Sequence, residues 1–109
     1  MTRHAEKVYS VAMTLTIPML QDAVVPVLKK HGVSKAVLFG SHAKGCAHEN
    51  SDVDLLVDSG LRGLAFFGLV EDLHETINRP VDVLDVTQIK KDSRIDKEIH
   101  QTGVVIYEK

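Results

Sequence analysis

Val37-Leu38-Phe39-Gly40-Ser41-His42-Ala43-Lys44-Gly45, followed after a polar stretch by Ser51-Asp52-Val53-Asp54-Leu55-Leu56-Val57, is the part of this 109-residue chain that decides its fold. Ala36 to Phe39 is a short apolar run of the kind a buried strand makes, and it runs straight into Gly40-Ser41. His42-Ala43-Lys44 can open a helix, and the stretch from His42 to Ser51 carries Gly45 and Asn50 as turn formers. Val53 to Val57 is a second strand.

Working back toward the N-terminus, Thr16-Ile17-Pro18 reads as a helix start, with proline where its missing N–H costs nothing. Leu20, Val24 and Leu28 recur every four residues, and Gly32 stands where that helix ends; Pro26 inside it argues against a straight helix. Working forward, Phe66, Leu69, Val70, Leu73 and Ile77 follow amphipathic helical spacing, closed by Asn78-Arg79-Pro80. Val81 to Val86 is a third strand, Ile95 and Ile99 mark a short helix closed by Gly103, and Val104 to Tyr107 is a fourth strand. The pattern predicts an α/β (α+β) fold: a small mixed sheet of about four strands with helices mainly on one face. Residues 1–16 read as a loosely ordered lead-in, and 17–109 as a single domain.

Composition narrows the function classes. Thirteen Lys and Arg against fifteen Asp and Glu give a net charge of −2, which excludes a uniformly basic nucleic-acid coat, so direct nucleic-acid binding is not expected. A hydrophobic share of 44% with 26% charged residues argues against wholesale disorder. One cysteine rules out an internal disulfide and fits a reducing compartment. With neither a long apolar run nor a secretory leader in the sequence, a cytoplasmic protein without a membrane span is expected.

Asp52 and Asp54 stand two apart at the start of a strand, so both side chains leave the same face. Like charges held that close repel, and a divalent cation such as Mg²⁺ would relieve them. Taken alone, the pair reads more simply as a solvated strand start. Gly40-Ser41 at a strand-to-helix junction offers backbone N–H groups and a hydroxyl to an anion, and Lys44 lies one turn further on. Taken alone, that is equally a plain turn. Ser41-x-x-Lys44 lacks the companion motifs of a β-lactamase, and the chain has no P-loop.

The combination is more specific. Gly-Ser, ten intervening residues and Asp-x-Asp resemble the signature of the DNA polymerase beta-like nucleotidyltransferase superfamily, and GSHAKG…SDVDLLV resembles its minimal, MNT-type members. The resemblance covers about residues 20–109 in element order and is sharpest from Val37 to Asp58. It implies a third carboxylate on the next strand, which Val81-Asp82-Val83 supplies. Asp85 is a rival that would emerge on the opposite face, and the resemblance, not parity, selects Asp82. Lys44 departs from the family, which usually has Arg there, so a bidentate phosphate contact becomes a point contact.

By resemblance, Asp52, Asp54 and Asp82 are metal ligands and catalytic residues for two Mg²⁺, while Gly40, Ser41 and Lys44 bind the phosphates of ATP. The implied reaction transfers AMP to a hydroxyl. The family implies an antitoxin role toward a helical HEPN toxin, with a tyrosine as acceptor and a homo- or hetero-oligomer as the assembly. Two alternatives stand beside it: a non-catalytic binding antitoxin or scaffold, and a transferase for a small aminoglycoside-type molecule. The chain closes on its fourth strand, so the second wall of the cleft is expected from a partner. His42 and His48 read as variable, solvent-exposed positions, Cys46 as a small residue, Phe66, Phe67 and Tyr107 as core, and Lys97-Glu98 as solvated charge.

Overall fold

The computed structural model describes residues 16–45 and 52–109. The expectations for residues 1–15, and for Cys46, His48 and Ser51, therefore lie outside the described residues. Helix α1, Ile17–Lys30, begins where Thr16 caps it, its hydroxyl accepting from the Met19 N–H at 3.3 Å. Lys29 and Lys30 sit at its C-terminal end, where cations suit the helix dipole. Pro26 lies inside α1, whose helical span continues past it to Lys30. It lies on the exposed side, as does Asp22, whose carbonyl the proline leaves without an N–H donor.

Strand β1, Lys35–Phe39, runs into the single helical turn α2, Ser41–Lys44, and β2 spans Val53–Asp58. Helix α3, Gly63–Ile77, starts three residues before the first apolar position of its pattern and ends at Asn78 in the left-handed conformation. Strand β3, Val81–Asp85, passes into a 3₁₀ turn at Val86–Gln88, which shortens the expected strand by one residue. Helix α4, Arg94–Thr102, and strand β4, Val104–Glu108, complete the chain.

The sheet order is β3-β2-β1-β4, with β1 antiparallel to β2 and β4 and with β2 parallel to β3. A parallel pair needs a crossover, and α3 provides it. Alternation along the strands then sorts side chains by face. Ala36, Leu38, Val53, Leu55, Val57, Val81 and Ile106 meet Leu20, Val24 and Leu28 of α1 and Leu69, Leu73 and Ile77 of α3 in the main core. The opposite face carries a smaller cluster of Val37, Phe39 and Leu56, flanked by Leu84, Ile89 and Ile99. The two long helices thus share one face, as expected, and the short α4 covers part of the other. Phe67 does not join the core: it is 58% exposed, and Leu64 one turn before it is 88% exposed.

Candidate active site

Strand register builds the site. Phe39 pairs with Asp54 across β1 and β2, which sets Gly40, the next residue, beside the Asp54 side chain. Asp54 in turn pairs with Asp82 across the parallel β2–β3 ladder. Since Val53 and Val81 point into the main core, Asp54 and Asp82 both leave the opposite face. Asp52 lies just before β2 with the same parity as Asp54, and it is exposed.

Gly40 holds φ 78° and ψ −154°, a conformation that essentially only glycine adopts. A Cβ there would fall well inside 3.0 Å of Asp54 Oδ2 and within 3.2 Å of its Cγ. The missing Cβ is therefore the space the Asp54 carboxylate occupies. Ser41 opens α2 half-buried, and the Gly40 carbonyl accepts from the Lys44 N–H at 3.1 Å. Gly45, at φ 76°, ends the turn.

Asp54 is pushed up to about 6, by burial first and then by the negative charges of Asp82, Asp52 and Glu98. Three carboxylates thus act on Asp54 from the start of β2, from β3 and from α4, which is a demand for positive charge there. Among the described residues no group of three or more His, Cys, Asp or Glu side chains closes into a metal cage. A preformed cage is not what Mg²⁺ needs, since it is usually held by one or two carboxylates together with substrate phosphates and water.

Asp85, the rival of Asp82, points to the other face and is 5% exposed. Its Oδ1 accepts from the Ser59 N–H at 3.1 Å and the Ser59 hydroxyl at 2.6 Å. Its Oδ2 accepts from the Thr87 N–H at 3.1 Å and the Thr87 hydroxyl at 2.8 Å. Burial pushes Asp85 up, but these hydrogen bonds outweigh it and leave the carboxyl below its usual range. Asp85 is a structural anchor for the turn after β3.

Two residues near the site were misread from sequence. His42 is buried, not solvent-exposed, and its Nδ1–H donates to the Asp52 carbonyl at 3.1 Å, tying α2 to the start of β2. Glu98 is not simply solvated: its carboxylate pairs with Lys44 Nζ at 3.4 Å. Nothing in the local pattern signals either contact, because each joins residues that only the tertiary fold brings together. Farther along the same face, Leu56 lines a hollow of about 630 Å³ with Val86, Ile89 and His100.

Three comparisons bear on this geometry. The sequence model of the family described as "Polymerase beta, Nucleotidyltransferase" matches residues 22–109. A protein of Methanocaldococcus jannaschii named "Putative protein adenylyltransferase" is 37% identical over 78 residues, covering 69% of this chain and 83% of the relative. Among solved structures, a chain of a toxin–antitoxin with AMP-PNP superposes with a TM-score of 0.69 at 22% identity, over 82% of this chain and 73% of that one. A chain from a tri-AMPylated Shewanella oneidensis HEPN toxin in complex with MNT antitoxin gives 0.65 at 16% identity, over 86% of this chain and 74% of that one. At these identities the two structures speak for the fold.

Proposed function

The chain belongs to the polymerase beta nucleotidyltransferase family, and from that premise we propose that it is a Mg²⁺-dependent protein adenylyltransferase antitoxin, which transfers AMP from ATP to a tyrosine hydroxyl of a HEPN toxin. The observation that carries this reading is the carboxylate cluster: Asp54 seated against Gly40, paired in register with Asp82 and pushed up to about 6 by burial and by its acidic neighbours. A binding surface has no need to concentrate negative charge on one strand pair, whereas phosphoryl chemistry does. The relative's name and the AMPylated HEPN complex support the choice of adenylyl group and partner.

Asp52, Asp54 and Asp82 would hold the metal, two ions in all, which when bound neutralise the triphosphate and polarise its α-phosphorus. The remaining work belongs to the chain. Gly40 leaves room for Asp54, and the Ser41 backbone and hydroxyl, at the start of α2, hold the phosphates with Lys44. Asp82, exposed on β3, accepts the proton of the attacking hydroxyl. The new bond joins the hydroxyl oxygen to the α-phosphorus. The bond from that phosphorus to the β-bridging oxygen breaks, and pyrophosphate leaves with the electron pair.

Leu64 and Phe67, exposed on α3, favour a second reading in which the chain neutralises a helical partner by binding alone. Co-expression with the product of the adjacent gene, followed by intact-mass spectrometry of that partner, separates the two. The transferase reading expects adenylyl increments that vanish with Asp52→Ala/Asp54→Ala. No increment with the wild type, or neutralisation undiminished in an Asp52, Asp54, Asp82 triple alanine variant, would favour binding alone. Among the described residues no helix is long and apolar enough to cross a membrane.

A further inference from the structure

Helix α4 presents a charged surface to the phosphate turn, and of its residues only Glu98 also acts on the carboxylate cluster. Lys44, at the end of α2, and Arg94, Lys97, Glu98, Gln101 and Thr102 of α4 line one hollow of about 520 Å³. Arg94, Lys97, Glu98 and Gln101 follow the i, i+3, i+4, i+7 spacing of a single helix stripe, so the hollow is a built face of α4. Three of its side chains are cations and one is a carboxylate. That carboxylate, Glu98, is taken by Lys44 at 3.4 Å. Arg94 and Lys97 have no ion pair or side-chain hydrogen bond among the described residues. Two uncompensated cations therefore share a concavity with Lys44, where an anion would relieve their repulsion.

We propose that this hollow seats the terminal phosphates of the nucleotide and holds the departing pyrophosphate between Arg94, Lys97 and Lys44, with Glu98 as the internal counter-ion that Lys44 exchanges for phosphate. The inference rests on the nucleotidyltransferase reading and extends its phosphate site from the Gly40-Ser41 turn onto α4. As the bond between the α-phosphorus and the bridging oxygen breaks, negative charge grows on the pyrophosphate side. Cations placed there act more strongly in the transition state than in the bound substrate. The Lys44–Glu98 pair explains how a lone lysine, where the family usually carries arginine, stays oriented toward the hollow while it is empty. Inorganic pyrophosphate meets the same three cations as a triphosphate tail does, whereas AMP, with neither β- nor γ-phosphate, does not reach them.

Calorimetric titration of the full chain with inorganic pyrophosphate, Mg-ATP and AMP tests this. Arg94→Ala/Lys97→Ala should weaken pyrophosphate and Mg-ATP by about tenfold or more and leave AMP within about twofold. Retained AMP binding also shows that the variant is folded. Glu98→Gln, which frees Lys44, should tighten pyrophosphate by about threefold. Lys29→Ala/Lys90→Ala removes the same charge outside the hollow and should change pyrophosphate affinity by less than about twofold. Equal losses in the remote and hollow variants, or an AMP loss as large as the ATP loss, would overturn the proposal. So would wild-type transfer activity with unchanged pyrophosphate affinity in Arg94→Ala/Lys97→Ala, which leaves the transferase reading intact. Conversely, a wild type that transfers nothing yet binds pyrophosphate through Arg94 and Lys97 would overturn the transferase reading and uphold the anion site.

Discussion

Replacing Gly40 by alanine tests the site at its tightest point. The substitution does two separable things. It forces a Cβ into a backbone conformation at φ 78° and ψ −154°, which costs about 1–3 kcal/mol. It also drives that Cβ well inside 3.0 Å of Asp54 Oδ2, so the carboxylate must retreat by roughly 1 Å, a misplacement that costs on the order of 10²-fold in rate at a reacting centre. Gly45→Ala is the control the structure provides, since Gly45 also has a positive φ, 76°, but nothing within 4 Å of its would-be Cβ. It should lose about 1–2 kcal/mol through strain alone. Thermal unfolding measures the first effect, at about 5 °C per kcal/mol for a domain near this size. Transfer of radiolabel from α-labelled ATP to the partner protein measures the second. The expected result is that both variants melt early and only Gly40→Ala loses about a hundredfold in transfer rate. Equal activity losses in the two variants, or a Gly40→Ala enzyme within about threefold of wild type, would refute the claim that the missing Cβ exists to place Asp54.

Two further predictions follow from the carboxylates. Because Asp54 is raised from 3.8 to about 6, its folded form holds a proton more tightly than its unfolded form, and ionising it opposes folding. Asp54→Asn should therefore stabilise the metal-free protein near pH 7. The full shift would correspond to about 3 kcal/mol, and partial solvation reduces the expected gain to about 1 kcal/mol. The gain should fade as pH falls from about 6 to 4, and Mg²⁺ should stabilise the wild type but not the variant, both read by thermal melts; an Asp54→Asn protein that melts earlier than wild type in chelator would contradict it. Asp85 has the opposite sign: its folded value is lowered by the Ser59 and Thr87 hydrogen bonds, so it stabilises the fold above the unfolded value near 3.8 and loses that contribution as pH falls through the folded one. Asp85→Asn should cost about 2 kcal/mol at pH 7 in denaturant titrations, with the gap to wild type closing below about pH 4 and transfer activity retained at temperatures where the variant is folded.

What could be read from the chain alone followed from backbone geometry that acts over a few residues. Four-residue spacing placed Leu20, Val24 and Leu28 on one helix face, and two-residue alternation put Asp52 and Asp54 on one strand face. The Gly-Ser and Asp-x-Asp spacing marked the junction of β1, α2 and β2. Pro26 removes a hydrogen bond from α1, but that it sits on the exposed side of the helix depends on which face the sheet covers. Phe67 was misjudged because an apolar residue next to a helical stripe belongs to the core only if another element covers it.

The rest was decided by pairings between distant segments. Alternation shows that Asp82 and Asp85 face opposite ways, but only the parallel register, Asp54 opposite Asp82, determines which of them meets the site. His42 gains its role from the Asp52 carbonyl, and Glu98 reaches Lys44 from a helix more than fifty residues away. Local periodicity is a property of each segment's own backbone. Strand order, register and the closure of α4 over the second face come from burying both sheet faces at once, which no single stretch of sequence records.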